Sequence, residues 1–448
     1  MPNDSYAWGG NRSVDTSEIA RLQFALTAGF HFLFVALTLG LGPLVAILET
    51  RYAISKKPVF ERLTKFWGHI YVINYAVGIF VGLVLEFQVG LNWSGLSKVM
   101  GGVFGVPLAL ETLIAFFLES TFLGMWIFGW GRMNRWLHVA LFWLVVLTAY
   151  VSAFWILAAN GFLQSPRGFE LTEAGARLTS LSAIVLNSAT ILTFLHVLAA
   201  AMLTGGLFMA GVSAWHLFRR TTELEFFRRS MRLGVLFAVV GSLGSVGFGF
   251  GQMAYLTPNQ PLKMAVANGR TEEALRYNAE MAAEHGPGNY LPPDWIATPY
   301  AVMQALGFVF VFFALICAVL LIKNLLDRWR FLLIPLMIAF PLPFVVNIFG
   351  WILREVGRQP WAVYDVLLVR DAVSPMGRGA MLASLSAFLV LFVVLVIVDW
   401  ALIARVAVRG PNRSSFGRTL AEAEGEPPES WRPFALAGDE RAAGPVRS

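Results

Sequence analysis

Long apolar stretches separated by polar connectors constrain the fold of this chain more than any other feature. About 20 consecutive apolar residues cross the hydrocarbon core of a bilayer as a helix, and nine stretches meet or approach that length. They cover residues 22–50, 68–93, 103–130, 137–164, 187–218, 232–256, 299–323, 331–353 and 379–409. Only 14% of the 448 residues are charged, too few to cover a soluble globule of this size. The sequence therefore predicts an all-α polytopic membrane protein with nine transmembrane helices.

Basic residues lie mainly in alternate connectors. The connectors after the first, third, fifth and seventh stretches carry them, and the pair Arg219 and Arg220 is one example. Because Lys and Arg concentrate on the cytoplasmic side of membrane proteins, we expect the N-terminus outside and the C-terminus in the cytoplasm. The net charge of +6 then reflects topology and gives no reason to expect nucleic-acid binding.

The polar segments divide the chain simply. Residues 1–409 are predicted to form a single transmembrane domain, and the longest connector, 257–298, lies on the outer side. Connectors of that length are usually functional or disordered. Residues 410–448 are rich in Gly, Pro, Glu and Arg and are predicted to be a disordered cytoplasmic tail. The single Cys317 excludes disulfides and sites made of several cysteines, so a bound metal would use His, Met or carboxylate ligands.

Several ionisable or ligand-type residues fall inside the apolar stretches. With the predicted topology, His31, His196, Met303 and Glu355 all lie in the outer half of the membrane. Glu111 and Glu119 are about 12 Å apart along a helix axis, which suits a proton route. A lone intramembrane His is often an interhelical hydrogen bond, and a lone Met is usually core. Because these ligand-type residues are predicted at similar depths in the membrane, a functional role is favoured over a purely structural one.

Other titratable residues are less informative. His69, His138 and His216 are predicted at ends of stretches and His285 in the long connector, so interfacial or solvated positions are expected. Glu86 and Asp399 are structural or handle protons, and the sequence does not decide between the two.

The end of the eighth stretch concentrates charge and indole rings. Trp351, Glu355, Arg358 and Trp361 lie within a short segment there. A carboxylate beside hydrocarbon is costly unless a cation, a proton or a metal satisfies it. Arg358 could pair with Glu355 or hold an anionic group of a cofactor.

Six segments together resemble subunit I of the cytochrome bd quinol oxidases. They read RLQFALTAGFHFLF at 21–34, TKFW at 64–67, EFQVGLNW at 86–93, PLALE at 107–111, FFLES at 116–120 and GRQPW at 357–361. The resemblance runs in order from about residue 17 to 409 and has the same nine-span plan.

The resemblance implies three haems near the outer face. A low-spin haem b would lie between His196 and Met303. A high-spin haem b and a haem d would be served by His31, Glu355 and Glu111, with no assignment of ligand to haem. Arg358 and Trp361 would hold propionates, Arg21 is counted with the cofactor-binding residues, and Trp351 would lie between haems. Glu119 and Ser120 would continue the proton route.

The resemblance also implies an activity and partners. The protein would oxidise quinol at the outer face and reduce dioxygen to water, with proton uptake from the cytoplasm. It would lie in the bacterial cytoplasmic (inner) membrane with the family's helical subunit II, and a small single-span subunit is a further candidate partner.

The long connector matches the family's quinol motif at Gln260 and Lys263 but departs from it elsewhere. Asn268 stands where the family usually has a Glu, and Ala301 stands where it usually has an Arg. Asn cannot act as a general base, and Ala carries no charge.

Three hypotheses follow. In the first, quinol is oxidised and an acid such as Glu272 or Glu273 replaces the missing Glu. In the second, a diverged bd-like oxidase uses a different donor. In the third, the chain is a haem-free proton-coupled transporter.

Overall fold

The computed structural model describes residues 16–411, except for the side chains at 113–115, 323 and 327. Within that part the chain is almost entirely helical. The helices are α1 (Thr16–Ser55), α2 (Pro58–Asn92), α3 (Ser94–Leu110), α4 (Phe117–Gly129), α5 (Arg135–Gln164), α6 (Leu181–Val185), α7 (Ser188–Phe218), α8 (Leu224–Asn259), α9 (Pro261–Ala267), α10 (Thr271–His285), α11 (Ala297–Leu320), α12 (Leu325–Arg328), α13 (Leu333–Ala339), α14 (Leu342–Glu355), α15 (Val369–Ala372) and α16 (Arg378–Arg409). Most of the predicted tail, 412–448, lies outside the described residues.

Eight helical segments in the described part are long and apolar enough to cross a membrane. Eight of the nine predicted stretches fall in them. The third, 103–130, is not one uninterrupted α-helix: α3 and α4 are joined by a π-helical segment, Glu111–Phe116. Such wider turns are rare and occur mostly at functional sites. Here the π-helix begins at a predicted site residue.

The eighth predicted stretch is also divided. The break between α13 and α14 falls at Phe340 and Pro341. Proline has no N–H to donate and its ring clashes with the preceding turn, so Pro341 and Pro343 fit the start of a new helix and not the interior of an old one. The segment from Arg330 to Arg358 still qualifies as a membrane span by length and hydropathy.

The long connector is largely helical. It contains α9, α10 and the short 3₁₀ helix Asp294–Ile296. The described part also contains two antiparallel hairpins, β1 (Phe169–Thr172) with β2 (Gly175–Leu178) and β3 (Trp361–Val363) with β4 (Leu367–Leu368). Apolar residues of α9, Tyr290 and Trp361 share one buried cluster, which holds the connector against the segment after α14.

Glycines allow the long helices to approach closely. A Cβ at Gly40 of α1 would overlap the carbonyl of Ala201 on α7, and a Cβ at Gly205 would overlap the backbone of Gly40. On the other side of α7, a Cβ at Gly206 would lie 2.6 Å from the backbone N of Ala238 on α8. These helices therefore pack backbone to backbone, as small residues permit in membrane bundles.

The substitution Gly205→Leu should separate α1 from α7 and destabilise the protein. Overpacking typically costs about 1–3 kcal/mol, and here the obstacle is backbone, which cannot move aside as a side chain can. Thermal stability of the detergent-solubilised complex, followed by fluorescence-detected size exclusion, measures the effect. Gly101→Leu is the matched control, because open space surrounds that position. Equal stability of the two variants would contradict the packing described here.

Candidate functional site

A central cavity of about 710 Å³ gathers most of the predicted site residues. Its walls come mainly from α1, α2, α3, α4, α5, α14, the π-helix and the segment after α14. The predicted residues that line it are Arg21, His31, Glu111, Glu119, Trp351, Glu355, Arg358 and Trp361. Side chains far apart in the sequence thus face one apolar space. Ser120 is not among the lining residues.

His31 faces the cavity against a glycine. A Cβ at Gly82 of α2 would lie 3.2 Å from Cε1 of the His31 ring. The imidazole Nδ1 is buried and has no hydrogen-bond partner in the described part of the chain. The next residue, Phe32, stacks on Trp351 with ring centroids 5.7 Å apart. The imidazole is therefore free to act as a ligand.

Glu111 belongs to a cluster of acids and hydroxyls. Ser152 donates a hydrogen bond to Glu111 Oε1 at 2.7 Å. The hydroxyl of Thr112 lies 2.9 Å from Glu86 Oε1 and 3.2 Å from Glu111 Oε2. A hydroxyl has one proton to donate, so both contacts are hydrogen bonds only when one carboxyl is protonated. Glu86, which the sequence left undecided, is thus connected to Glu111 through the hydroxyl of Thr112.

Glu119 continues this acidic line on α4. Its side chain is buried and lines the same cavity as Tyr75. An isolated buried carboxylate is costly, so a structural role would require a fixed cation. In the described structure no ion pair with Glu119 is present. The position suits a carboxyl that gains and loses protons.

Both oxygens of the buried Glu355 are engaged. Arg358 Nη2 donates to Oε2 at 2.7 Å, and Asn160 Nδ2 donates to Oε1 at 2.7 Å. Two other nitrogens of Arg358, Nε and Nη1, are buried and have no hydrogen-bond partner in the described structure. The indole N–H of Trp361 is likewise buried without a partner there. Unpaired buried donors are costly, and three of them beside one cavity fit the carboxylates of a bound cofactor.

His196 and Met303 lie outside the central cavity, near α14. His196 Nδ1 donates to the carbonyl of Ser245 at 2.9 Å, which leaves Nε2 free as a ligand. A Cβ at Gly249 would lie 3.4 Å from the His196 ring. A Cβ at Gly350 of α14 would lie 3.2 Å from the sulfur of Met303. Both ligand-type side chains therefore rest against glycines.

Lys263 is buried beside the same end of α14. Its Nζ donates to the carbonyl of Arg354 at 3.3 Å. Burial, reinforced by the neighbouring charges of Arg354 and Arg358 and opposed by that of Glu355, lowers the pKa of Lys263 to about 7. Three cationic side chains therefore surround a single carboxylate, so the cluster has room for added negative charge.

Gln260 and the connector complete the outer part of the site. Gln260 Nε2 donates to the carbonyl of Gln164 at 2.7 Å, and its Oε1 is buried without a partner in the described part. Tyr290 stacks on Trp361 with centroids 5.6 Å apart. Arg21 donates to Gln359 Oε1 at 2.6 Å, which ties α1 to the same segment.

The two departures from the family pattern have ordinary local roles. Asn268 is exposed and donates to the carbonyl of Met264 at 2.7 Å, so it ends α9. Ala301 is exposed on α11. Glu273 accepts a hydrogen bond from Arg270 at 3.3 Å, and Glu272 is exposed.

Two of the histidines that were expected at interfacial or solvated positions, His138 and His216, are buried and therefore not solvated. His138 is buried, and its Nδ1 donates to Glu49 at 2.5 Å while Trp126 Nε1 donates to the other oxygen of Glu49 at 2.8 Å. His216 is buried and donates to the carbonyl of Ala407 at 2.7 Å. A carboxylate at the end of an apolar stretch, Glu49, was the signal that a buried partner was needed.

The structure also shows the surroundings of His285 and Asp399. His285 donates to Asp365 at 2.7 Å and, with Glu284, forms a group of metal-ligand type at the surface. Asp399 is fully buried, and both its oxygens lack partners among the described residues. Sequence reasoning missed Asn160, Ser152 and Arg354, which were recognisable only as polar residues in or beside apolar stretches.

The comparisons with known proteins agree with this geometry. A model of the cytochrome bd terminal oxidase subunit I family matches residues 19–285 and 278–411. Cytochrome bd ubiquinol oxidase subunit 1 of Bacillus subtilis (strain 168) is 36% identical over 423 residues, covering 84% of this chain and 90% of that protein. Cytochrome bd-II ubiquinol oxidase subunit 1 of Escherichia coli (strain K12) is 31% identical over 501 residues, covering 89% and 97%.

A solved structure supports the fold. A chain of the bd oxidase from Geobacillus thermodenitrificans superposes with a TM-score of 0.78 at 24% identity, covering 89% of this chain and 99% of that one. The family match and the two relatives together show that this chain belongs to the cytochrome bd terminal oxidase subunit I family.

Proposed function

We propose that this chain is the haem-bearing subunit of a terminal oxidase that oxidises quinol and reduces dioxygen to water. The observation that carries the proposal is the single apolar cavity in which His31, Glu111 and Glu355 meet beside unpaired donors of Arg358. Relatives named as ubiquinol oxidases support the reaction class. The same features disfavour a haem-free transporter.

The site residues fit two b haems and one haem d. His196 and Met303 would hold the low-spin haem b, because Nε2 of His196 is free and soft sulfur suits this role. His31, Glu355 and Glu111 would serve the two high-spin haems, and Arg358 and Trp361 would bind propionates. When bound, the haems supply electron transfer and dioxygen reduction.

This chain's own residues would carry the protons. Glu119 and Ser120 would receive protons from the cytoplasmic side, and the Glu111–Thr112–Glu86 cluster would hold them at the cavity. Carboxyls and hydroxyls spaced along a helix relay protons where water is excluded. Trp351, stacked on Phe32 beside His31, would fill the space between haems.

Quinol would bind at the outer connector. Lys263 is suited to change charge near neutral pH, since its pKa is about 7. Gln260 Oε1 is a buried acceptor for a quinol hydroxyl. The helical connector packs on Trp361, so quinol bound there would be next to the propionate segment. An acid such as Glu272 or Glu273, at the start of α10, would replace the Glu absent at position 268.

The protein would work in the bacterial cytoplasmic membrane with nine spans, the N-terminus outside and the C-terminus inside. Subunit II would cover part of its apolar surface, and a small single-span subunit is a further candidate. The spans that contain α11 and α16 are the least buried of the eight candidate spans in the described part, so their outer faces are open to lipid or to a second subunit.

Glu119→Gln should abolish most quinol-driven oxygen consumption. A carboxamide of the same size cannot carry a proton, so turnover should fall at least about tenfold while the haem spectrum is retained. An oxygen electrode with the purified two-subunit complex measures this. Glu170→Gln, at an exposed position, is the matched control. Unchanged turnover in Glu119→Gln would contradict the proton route.

His196→Ala should remove the low-spin haem and leave the high-spin pair. The two ligand sets lie in different places, and only His196 depends on Ser245 for its orientation. Haem content and the reduced-minus-oxidised spectrum report the result. Loss of all three haems together would show that the assignment, or the independence of the sites, is wrong.

Lys263→Met should slow quinol oxidation while haem reduction by dithionite is unaffected. Methionine fills the same buried space against Gly357 but cannot exchange a proton or donate a hydrogen bond. We expect quinol turnover to fall about tenfold or more, compared with Arg276→Met on exposed α10. Normal quinol turnover in Lys263→Met would favour a different electron donor site.

A further inference from the structure

We propose that Arg354 supplies positive charge and an N–H donor to a carboxylate of the low-spin haem, and so raises that haem's reduction potential. The inference rests on the proposed function, in which His196 and Met303 hold that haem. Arg354 would bind a carboxylate of the cofactor and act on its electronics without ligating the iron.

Arg354 links the helices that form the two haem sites. Its Nη1 donates to Thr193 Oγ1 at 2.7 Å. Thr193 precedes His196 by three residues on α7, so the two side chains lie on the same face of the helix, one turn apart. The Nε of Arg354 donates to Asn160, which in turn donates a hydrogen bond to Glu355. The guanidinium is thereby fixed one helical turn from the predicted haem ligand.

The remaining nitrogen of Arg354 is unsatisfied. Nη2 is shielded from solvent and has no hydrogen-bond partner in the described part of the chain. Leaving a buried donor unpaired is energetically costly, and more so when the group is charged. Arg354 is therefore a fixed cation close to His196, and its Nη2 group has no anionic acceptor in the described part of the chain.

The local charge requires such an acceptor. Lys263, Arg354 and Arg358 surround one carboxylate, Glu355, and that carboxylate already accepts from Arg358 and Asn160. Buried cations without counter-charge are strongly unfavourable. Carboxylates of bound haem would supply the missing negative charge.

Arg354 is the member of this group that points to the low-spin site. Arg358 lines the central cavity and pairs with Glu355, whereas Arg354 is absent from the cavity wall and contacts α7. Ala301, where the family pattern has an Arg, carries no charge. Arg354 would provide a cation to the same cofactor from α14.

A cation near the iron disfavours the oxidised, more positive form of the haem, and second-shell charge and hydrogen bonding are levers on haem potential. Arg354→Gln keeps the size and hydrogen-bonding ability of the side chain and removes the charge. Arg354→Lys keeps the charge. The pair therefore separates electrostatics from shape.

The test is a redox titration of the low-spin haem's optical band in the purified two-subunit complex. In Arg354→Gln the reduction equilibrium should shift about tenfold toward the oxidised form, which is about 59 mV for a one-electron couple. Arg354→Lys should shift it by less than about threefold, about half that potential change. Arg276→Gln, an exposed charge on α10, is the control and should leave the potential unchanged.

Three results would overturn the inference. These are an unchanged potential in Arg354→Gln, equal shifts in the Gln and Lys variants, and loss of the low-spin band in both variants, which would make Arg354 a purely structural residue. A complex without substitutions that shows no low-spin band would instead refute the proposed function.

Discussion

The arrangement at the end of α14 depends on burying two arginines, Arg354 and Arg358, and one lysine, Lys263, around a single carboxylate, that of Glu355. Glu355 is held by Arg358 and Asn160, and Asn160 also accepts from Arg354. Charges removed from water to this extent are tolerated only with partners in place. The buried N–H donors of Arg354 and Arg358 that have no partner in the described part therefore favour a bound anion at this site.

Helix packing brings those partners together. Asn160 comes from α5, Thr193 and His196 from α7, and Glu355 and Arg358 from α14 and the turn after it. Backbone contacts at Gly40 and Gly205 set the distance between α1 and α7, and Gly82, Gly249 and Gly350 leave space beside the ligand-type side chains. Small residues thus perform two tasks, bringing helices together and accommodating the side chains of His31, His196 and Met303.

Much of the site was predictable from the sequence because intramembrane polar residues are costly and few. Depth placed His31 and Glu355 in one layer, and the cavity contains both. The π-helix at Glu111 was not predictable, because its hydrogen-bond pattern depends on how α3 and α4 pack. The helices of the long connector were also missed, since they depend on contacts with Trp361. The role of Arg354 was not predictable from the sequence, because it depends on contacts between α14 and the helices α5 and α7.

The measurement that tests the central claim most directly is a reduced-minus-oxidised optical spectrum of the purified complex, with quinol or dithionite as reductant. The account predicts bands of low-spin haem b and of haem d with either reductant. Bands with dithionite alone would keep the haem assignment and contradict quinol as the donor. No haem bands in a well-folded complex would contradict the account as a whole.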